Sequence, residues 1–269
     1  MREDAASDAS EPLCDGRGEP PPTCGNRLKL AFLPLFSRLM LAADRRTFAR
    51  LAARPPPADA VAFVGSSTFT YWAALAEDMA GLPAVNAAFG GSLTAHVLAH
   101  ADRIAALRPR VVVYYCGTND VTFAQRARDA FENFAATATA LRAAPGAARL
   151  PIVYLASIAT PFQRAAGAER VARVLEINRL VRAFADAEAA ANGAYLTHVV
   201  DVNDEDFARD ERFFKWDKLH FTPEGQWAAR VGAAAGRRRR VRAHTTARIE
   251  CGFPLHNNQT PLSYKHSFP

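Results

Sequence analysis

A three-layer α/β domain, built on a parallel sheet covered on both faces, is the fold this sequence predicts. Three observations lead there. Five short, apolar, β-branched runs alternate with Ala-rich stretches of helical spacing. The runs lack the period-two polarity of a strand with one wet face, so both faces are expected to be buried. Glycine-bearing or polar loops follow them, where the carboxyl ends of parallel strands collect ligands.

In chain order, the strand runs are AVAFV (60–64), PAVNA (83–87), RVVVYYC (110–116), LPIVYLA (150–156) and AYLTHVVDV (194–202). Helical stretches lie between them at 68–80, 93–107, 123–143 and 165–192. In the last of these Val171, Val174, Leu175, Ile177, Leu180, Val181 and Phe184 recur at three- and four-residue steps. A leading helix over 28–54 ends at Pro55-Pro56-Pro57, which cannot continue it. The domain so bounded covers residues 28–235. Residues 1–27 are acidic and rich in Pro and Gly, unlike a secretory or transit leader, and read as a disordered segment. Residues 236–269 carry Arg237, Arg238, Arg239, Arg240, Arg242 and Arg248 without sustained periodicity, and read as a basic, disordered tail.

Composition narrows the function classes. Hydrophobic residues make up 49% and charged residues 22%, enough for a core without disulfides or metals. The net charge of +6 comes largely from the tail, so no specific nucleic-acid partner is expected of the folded domain. Cys14, Cys24, Cys116 and Cys251 form no CxxC pair, which argues against a disulfide framework or a zinc site. Cys116 ends an apolar run and reads as a small buried hydrophobe. The stretch LKLAFLPLFSRLMLAA (28–43) is broken by Lys29, Pro34 and Arg38, and falls short of the ~20 apolar residues of a membrane span. It reads as a packed or membrane-surface helix. With no signal peptide evident, a cytoplasmic location is expected; oligomeric state stays open.

The loops after the strands carry the chemistry. Gly65-Ser66-Ser67 follows the first run, and Asn86 leads from the second into Phe89-Gly90-Gly91-Ser92. Gly117-Thr118-Asn119-Asp120 follows the third, and Trp216-Asp217-Lys218-Leu219-His220 comes after the last. This set meets the needs of acyl transfer. A serine hydroxyl is a weak nucleophile that needs a base. His220 can serve Ser67 as that base, with Asp217 orienting its ring. The oxyanion needs fixed donors, which the backbone N–H groups of Ser67 and Gly91 and the side-chain amide of Asn119 can supply. Each piece alone is unspecific: Asp-x-x-His could be an exposed loop pair, and Thr222-Pro223 starts a helix whatever the chemistry. The ordered set is the signal. GxSxG is absent, so a nucleophile elbow is not the explanation. His96 and His100, one helical turn apart, lack a third metal ligand and read as a solvated helix face. His198 reads as a structural strand residue; His244, His256 and His266 belong to the tail.

GSS at 65–67, Asn86 with Gly91, GTND at 117–120 and DKLH at 217–220 together resemble the four blocks of the GDSL, or SGNH, hydrolases. The resemblance runs from about Pro55 to Gly232. PPPADAVAFVGSSTFTYW is similar to the branch with FxGSSxxxxW in its first block. SIATPFQR (157–164), followed by a helix bearing Asn178, fits that branch too. The resemblance implies a flavodoxin-like α/β/α sandwich on a five-stranded parallel sheet. It implies a serine esterase or deacylase acting on small-molecule esters, with no cofactor and no metal. It casts Ser67 as nucleophile, Asp217 and His220 as the rest of a triad, and Gly91 and Asn119 as oxyanion donors. Ser66 stands where the name-giving motif has Asp, and is expected to shape the turn and hydrogen-bond neighbouring loops. An acyltransferase using the same site, or a non-catalytic binding module, are the alternatives. Small acetyl esters, acetylated sugars and lysophospholipids all stay open as substrates.

Overall fold

Strands β1 (Val61–Gly65), β2 (Ala84–Asn86), β3 (Val111–Tyr115), β4 (Ile152–Leu155) and β5 (Thr197–Val200) form a single all-parallel sheet in the order β2-β1-β3-β4-β5. The computed structural model describes residues 44–79, 82–201, 203 and 208–226, with residues 31, 34 and 35 besides. Each predicted run carries one strand, most of them trimmed at their ends, with β1 running one residue past its run to Gly65. The register aligns Val61 with both Ala84 and Val111, Val112 with Ile152, and Ile152 with Thr197. The three chain-early strands therefore finish close together, and their following loops meet at one edge.

The helices are α1 (44–53), α2 (Ser67–Thr70), α3 (Leu75–Asp78), α4 (Thr94–Ala99), α5 (Ala101–Ala106), α6 (Thr118–Thr122), α7 (Ala127–Ala143), α8 (Pro161–Ala165) and α9 (Ala168–Asn192). Two predicted stretches split. The 68–80 stretch becomes α2 and α3, and 93–107 breaks at His100, whose φ of −112° is not helical. α9 runs the length the periodicity predicts, and Gly193 closes it in the left-handed conformation. Of the leading helix expected over 28–54, residues 44–53 are helical, as are residues 31, 34 and 35. The expected segments 1–27 and 236–269 lie outside the described residues. Among the described residues no helix is long and apolar enough to cross a membrane.

Both sheet faces are covered, as the unbroken apolar runs require. From β1, Ala62 and Val64 point into a core shared with Ile104, Phe134, Leu141, Val174 and Ile177 on the α5, α7 and α9 side. Val61 and Phe63 point the other way, to Phe69, Leu75, Ile158, Phe214 and Phe221. This alternation follows from the strand's period of two. Phe134 is 1% exposed in the larger core, where truncation to Ala typically costs about 3–5 kcal/mol. The smaller core does more for function, because it seats the helix opened by Ser67 against the segment that carries His220.

Candidate active site

Gly65 ends β1 at φ +144°, where a Cβ would meet the Tyr115 carbonyl oxygen at 1.9 Å. Only glycine lets the chain pass so close to β3. Ser66 follows, buried and extended, and caps α2. Its N–H donates to the Tyr115 carbonyl (3.2 Å), and its own carbonyl accepts from the N–H groups of Phe69 and Thr70. The turn-shaping expected of Ser66 thus runs through its backbone. Ser67 is half-buried and opens α2.

The partner segment arrives from the far end of the chain. Phe214 and Phe221 form an antiparallel bridge, and the Lys215 N–H donates to the His220 carbonyl at 2.7 Å. Within this hairpin the Asp217 carboxylate accepts at Oδ1 from the N–H groups of Leu219 (3.0 Å) and His220 (2.9 Å). This is the local turn that Asp favours. Its Oδ2 accepts from His220 Nδ1 at 2.6 Å. His220 Nε2 lies 2.8 Å from Ser67 Oγ, across 153 residues of sequence. Burial pushes the Asp217 carboxyl up, but hydrogen bonds from the His220 ring and from the His220 and Leu219 amides outweigh it and hold it below its ordinary value. An ionised Asp217 can only accept, so Nδ1 carries the ring proton and Nε2 is left to accept from the Ser67 hydroxyl. The Tyr71 ring, one turn beyond Ser67, stands edge-on to the His220 ring at 4.9 Å.

Two further loops close on this pair. Asn86 donates from Nδ2 to the Phe69 carbonyl (2.6 Å) and accepts at Oδ1 from the Ala88 N–H (3.1 Å), fastening the second loop to α2. Gly91 turns at φ +76°, a left-handed conformation that leaves its N–H unscreened by a side chain. Beside it, Ser92 donates from Oγ to the Gly65 carbonyl (2.9 Å), and its carbonyl accepts from Asn119 Nδ2 (2.9 Å). The sequence-predicted Gly91 and Asn119 are therefore joined through Ser92 and tied to the turn before Ser67. One amide hydrogen of Asn119 is used there; a second remains.

Sequence reasoning assigned no role to several residues that hold these loops. Asp120 is fully buried and accepts from the Thr94 hydroxyl (2.6 Å) and the Thr94 N–H, pinning the start of α4 to α6. Burial pushes its carboxyl up to about 6, against the bonds from Thr94. Asn178 binds both the N–H and the carbonyl of Ser157 at 2.8 Å, while Gln163 donates to Thr118 and Thr122. These fix the loop after β4. Ser92 and Asp120 adjoin residues the sequence did flag. Short polar side chains between apolar strands were the available signal, but their partners lie some 26 positions away.

One expectation is corrected. His96 and His100 are buried, not a solvated face. His96 accepts at Nδ1 from the Leu93 N–H (3.2 Å), and burial, with the charge of His100, pushes it down to about 4. His100 Nε2 lies 3.1 Å from Asp44 Oδ2, and its ring packs on Phe48 and Phe89. His100 is covered by α1, through Asp44 and Phe48. Among the described residues no group of three or more His, Cys, Asp or Glu side chains could hold a metal ion. His198 sits in β5 opposite Val153, and Cys116 is buried with its thiol pushed well up by burial.

A serine bonded to a histidine, itself bonded to an ionised carboxylate, at the carboxyl edge of a parallel α/β/α sheet places the molecule with the SGNH-type α/β hydrolases. A model of the GDSL-like lipase/acylhydrolase family matches residues 56–228, and the chain belongs to that family of ester hydrolases. Among solved structures, it resembles a GDSL-like lipase from Bacteroides thetaiotaomicron (TM-score 0.55, 22% identity, covering 75% of this chain and 100% of that one). It also resembles a lipase/acylhydrolase from Enterococcus faecalis (TM-score 0.50, 16% identity, 68% and 96% covered). A protein from Veillonella parvula of the lipolytic G-D-S-L family is similar too (TM-score 0.51, 12% identity, 65% and 96% covered). At these identities the likeness concerns the fold. No curated protein matches the chain by sequence.

Proposed function

We propose that the protein is a serine esterase acting on small-molecule carboxylic esters through Ser67, His220 and Asp217. The observation that carries this is the His220 ring, bonded to Ser67 at 2.8 Å and to Asp217 at 2.6 Å. Ser67 Oγ forms a bond to the acyl carbon as its proton passes to His220 Nε2. The backbone N–H groups of Ser67 and Gly91 and the second amide hydrogen of Asn119 take the oxyanion. As the intermediate collapses, the bond to the alcohol oxygen breaks and His220 returns the proton to it. Water, deprotonated by His220, then releases the acid and regenerates Ser67. Asp217, held ionised by three hydrogen bonds, stabilises the imidazolium at both stages.

The test separates the two adjacent serines. On p-nitrophenyl acetate, Ser67→Ala is expected to lower kcat by about 10⁴–10⁶, whereas Ser66→Ala keeps measurable turnover. Labelling with a fluorophosphonate, with the modified peptide mapped, should mark Ser67 alone. Activity surviving in Ser67→Ala but lost in Ser66→Ala would overturn the assignment.

A further inference from the structure

Beside the proposed leaving-group path stands a cation that nothing yet uses. Lys215 pairs across the hairpin with His220, and its ammonium lies 5.3 Å from the centroid of the Tyr71 ring. Tyr71 in turn stands 4.9 Å, edge-on, from His220. The three side chains make one wall, with the proton-transferring imidazole at one end and the ammonium at the other. The neighbouring charges are spoken for: Lys218 pairs with Glu211 (2.9 Å), Arg212 with Asp210 (2.6 Å), and Asp217 with His220. Lys215 has no carboxylate partner among the described residues.

We infer that Lys215 is a specificity residue that selects esters whose alcohol half carries a negative charge, a phosphate or a carboxylate a few bonds from the ester oxygen. The inference rests on the triad reading above. His220 must reach the alcohol oxygen to protonate it, so the alcohol half leaves along the His220 side of Ser67. That is the wall on which the ammonium stands. The Tyr71 ring face attracts the cation and restricts where it points. A positive charge held there lowers the free energy of an anionic alcohol in both the bound ester and the departing alkoxide, and salt screens the effect.

The experiment compares three acetyl esters on wild type, Lys215→Gln and Lys215→Glu: 3-acetoxypropyl phosphate, 4-acetoxybutanoate and neutral 3-methoxypropyl acetate. The readout is the ratio of kcat/KM between anionic and neutral ester within each protein, so a misfolded variant lowers both and cannot imitate the result. Wild type is expected to favour the anionic esters at least about tenfold at low salt, one ion pair's worth of discrimination. Lys215→Gln should bring the ratio near one, and Lys215→Glu should invert it. The phosphate and carboxylate arms decide which anion fits better. Protection of Ser67 from fluorophosphonate labelling by 3-hydroxypropyl phosphate, set against 3-methoxypropan-1-ol, gives the same comparison without turnover. A wild-type ratio near one together with equal protection overturns the inference, as does a preference that survives Lys215→Gln. Hydrolysis by Ser67→Ala would instead strike the parent reading.

Discussion

Two histidine–aspartate pairs can be compared among the described residues, and they behave in opposite ways. His220 and Asp217 meet at 2.6 Å in a partly exposed hairpin; His100 and Asp44 meet at 3.1 Å under α1. Asp217 accepts two backbone N–H bonds besides the ring, which hold it below its ordinary value. Asp44 is fully buried, and its Oδ1 has no hydrogen-bond partner among the described residues. Burial pushes it up to about 7, with the charge of Arg103 opposing. Burial also pushes His100 down, helped by Arg103. By distance the buried pair is an ion pair, but both shifts favour its neutral form. The shifts decide, because the desolvation of two charges is not repaid by one hydrogen bond. The charge state of each aspartate therefore follows its burial and the hydrogen bonds it accepts, and not the His–Asp pairing itself.

The strongest way to break this comparison is to make the same change in both pairs. Asp217→Asn should lower kcat by about 10⁴, because the amide no longer fixes the ring tautomer. Asp44→Asn should leave kcat within about twofold, since the change is buried away from Ser67 and alters no group in the proposed mechanism. Equal losses, measured by steady-state hydrolysis of p-nitrophenyl acetate, would show that the buried pair serves catalysis.

A second effect is smaller and concerns the donors opposite the triad. Asn119→Ala should cost about 10²–10³ in kcat, the usual loss for one oxyanion donor. Because Asn119 also holds the Ser92 carbonyl, Asn119→Asp makes a useful companion: it keeps the size, loses the donor, and should lose comparable activity. Normal turnover in both variants would remove Asn119 from the oxyanion site.

The smallest effect is thermodynamic and has a definite sign. Asp44 binds its proton more tightly folded (about 7) than at its ordinary 3.8. Its contribution is fully present below about pH 4 and is lost as pH rises to about 7. His100, shifted down, runs the other way and loses stability as pH falls. Asp44→Asn removes only the first term. Its stability relative to wild type, from urea unfolding, should therefore rise by about 3 kcal/mol between pH 4.5 and 7.5. A flat or falling difference would mean that Asp44 is ionised in the folded protein.

Much of the fold was legible in the sequence, for local reasons. All five apolar runs became strands because β-branched residues without alternation suit a sheet covered on both sides. Gly65 and Gly91 were visible as members of the loops after the first two strands, but the close approach of Gly65 to Tyr115 was not. The four site blocks were visible because each follows a strand directly or lies in a short turn. The hidden parts depend on distant partners. The solvated reading of His96 and His100 failed because helical spacing marks a polar side but does not say what will cover it; for His100 that is α1. Ser92 and Asp120 looked like loop residues until Gly65 and Thr94 were seen beside them.

The sequence by itself determined the strand count, the alternation of layers and the chemical types gathered at the sheet edge, because periodicity and side-chain identity act over a few residues. The tertiary structure decided which histidine faces Ser67, which aspartate stays charged, and which lysine stands over the Tyr71 ring without a carboxylate partner among the described residues. Those depend on desolvation and on hydrogen bonds between groups as much as 153 residues apart, and neither quantity is a property of a short stretch of chain.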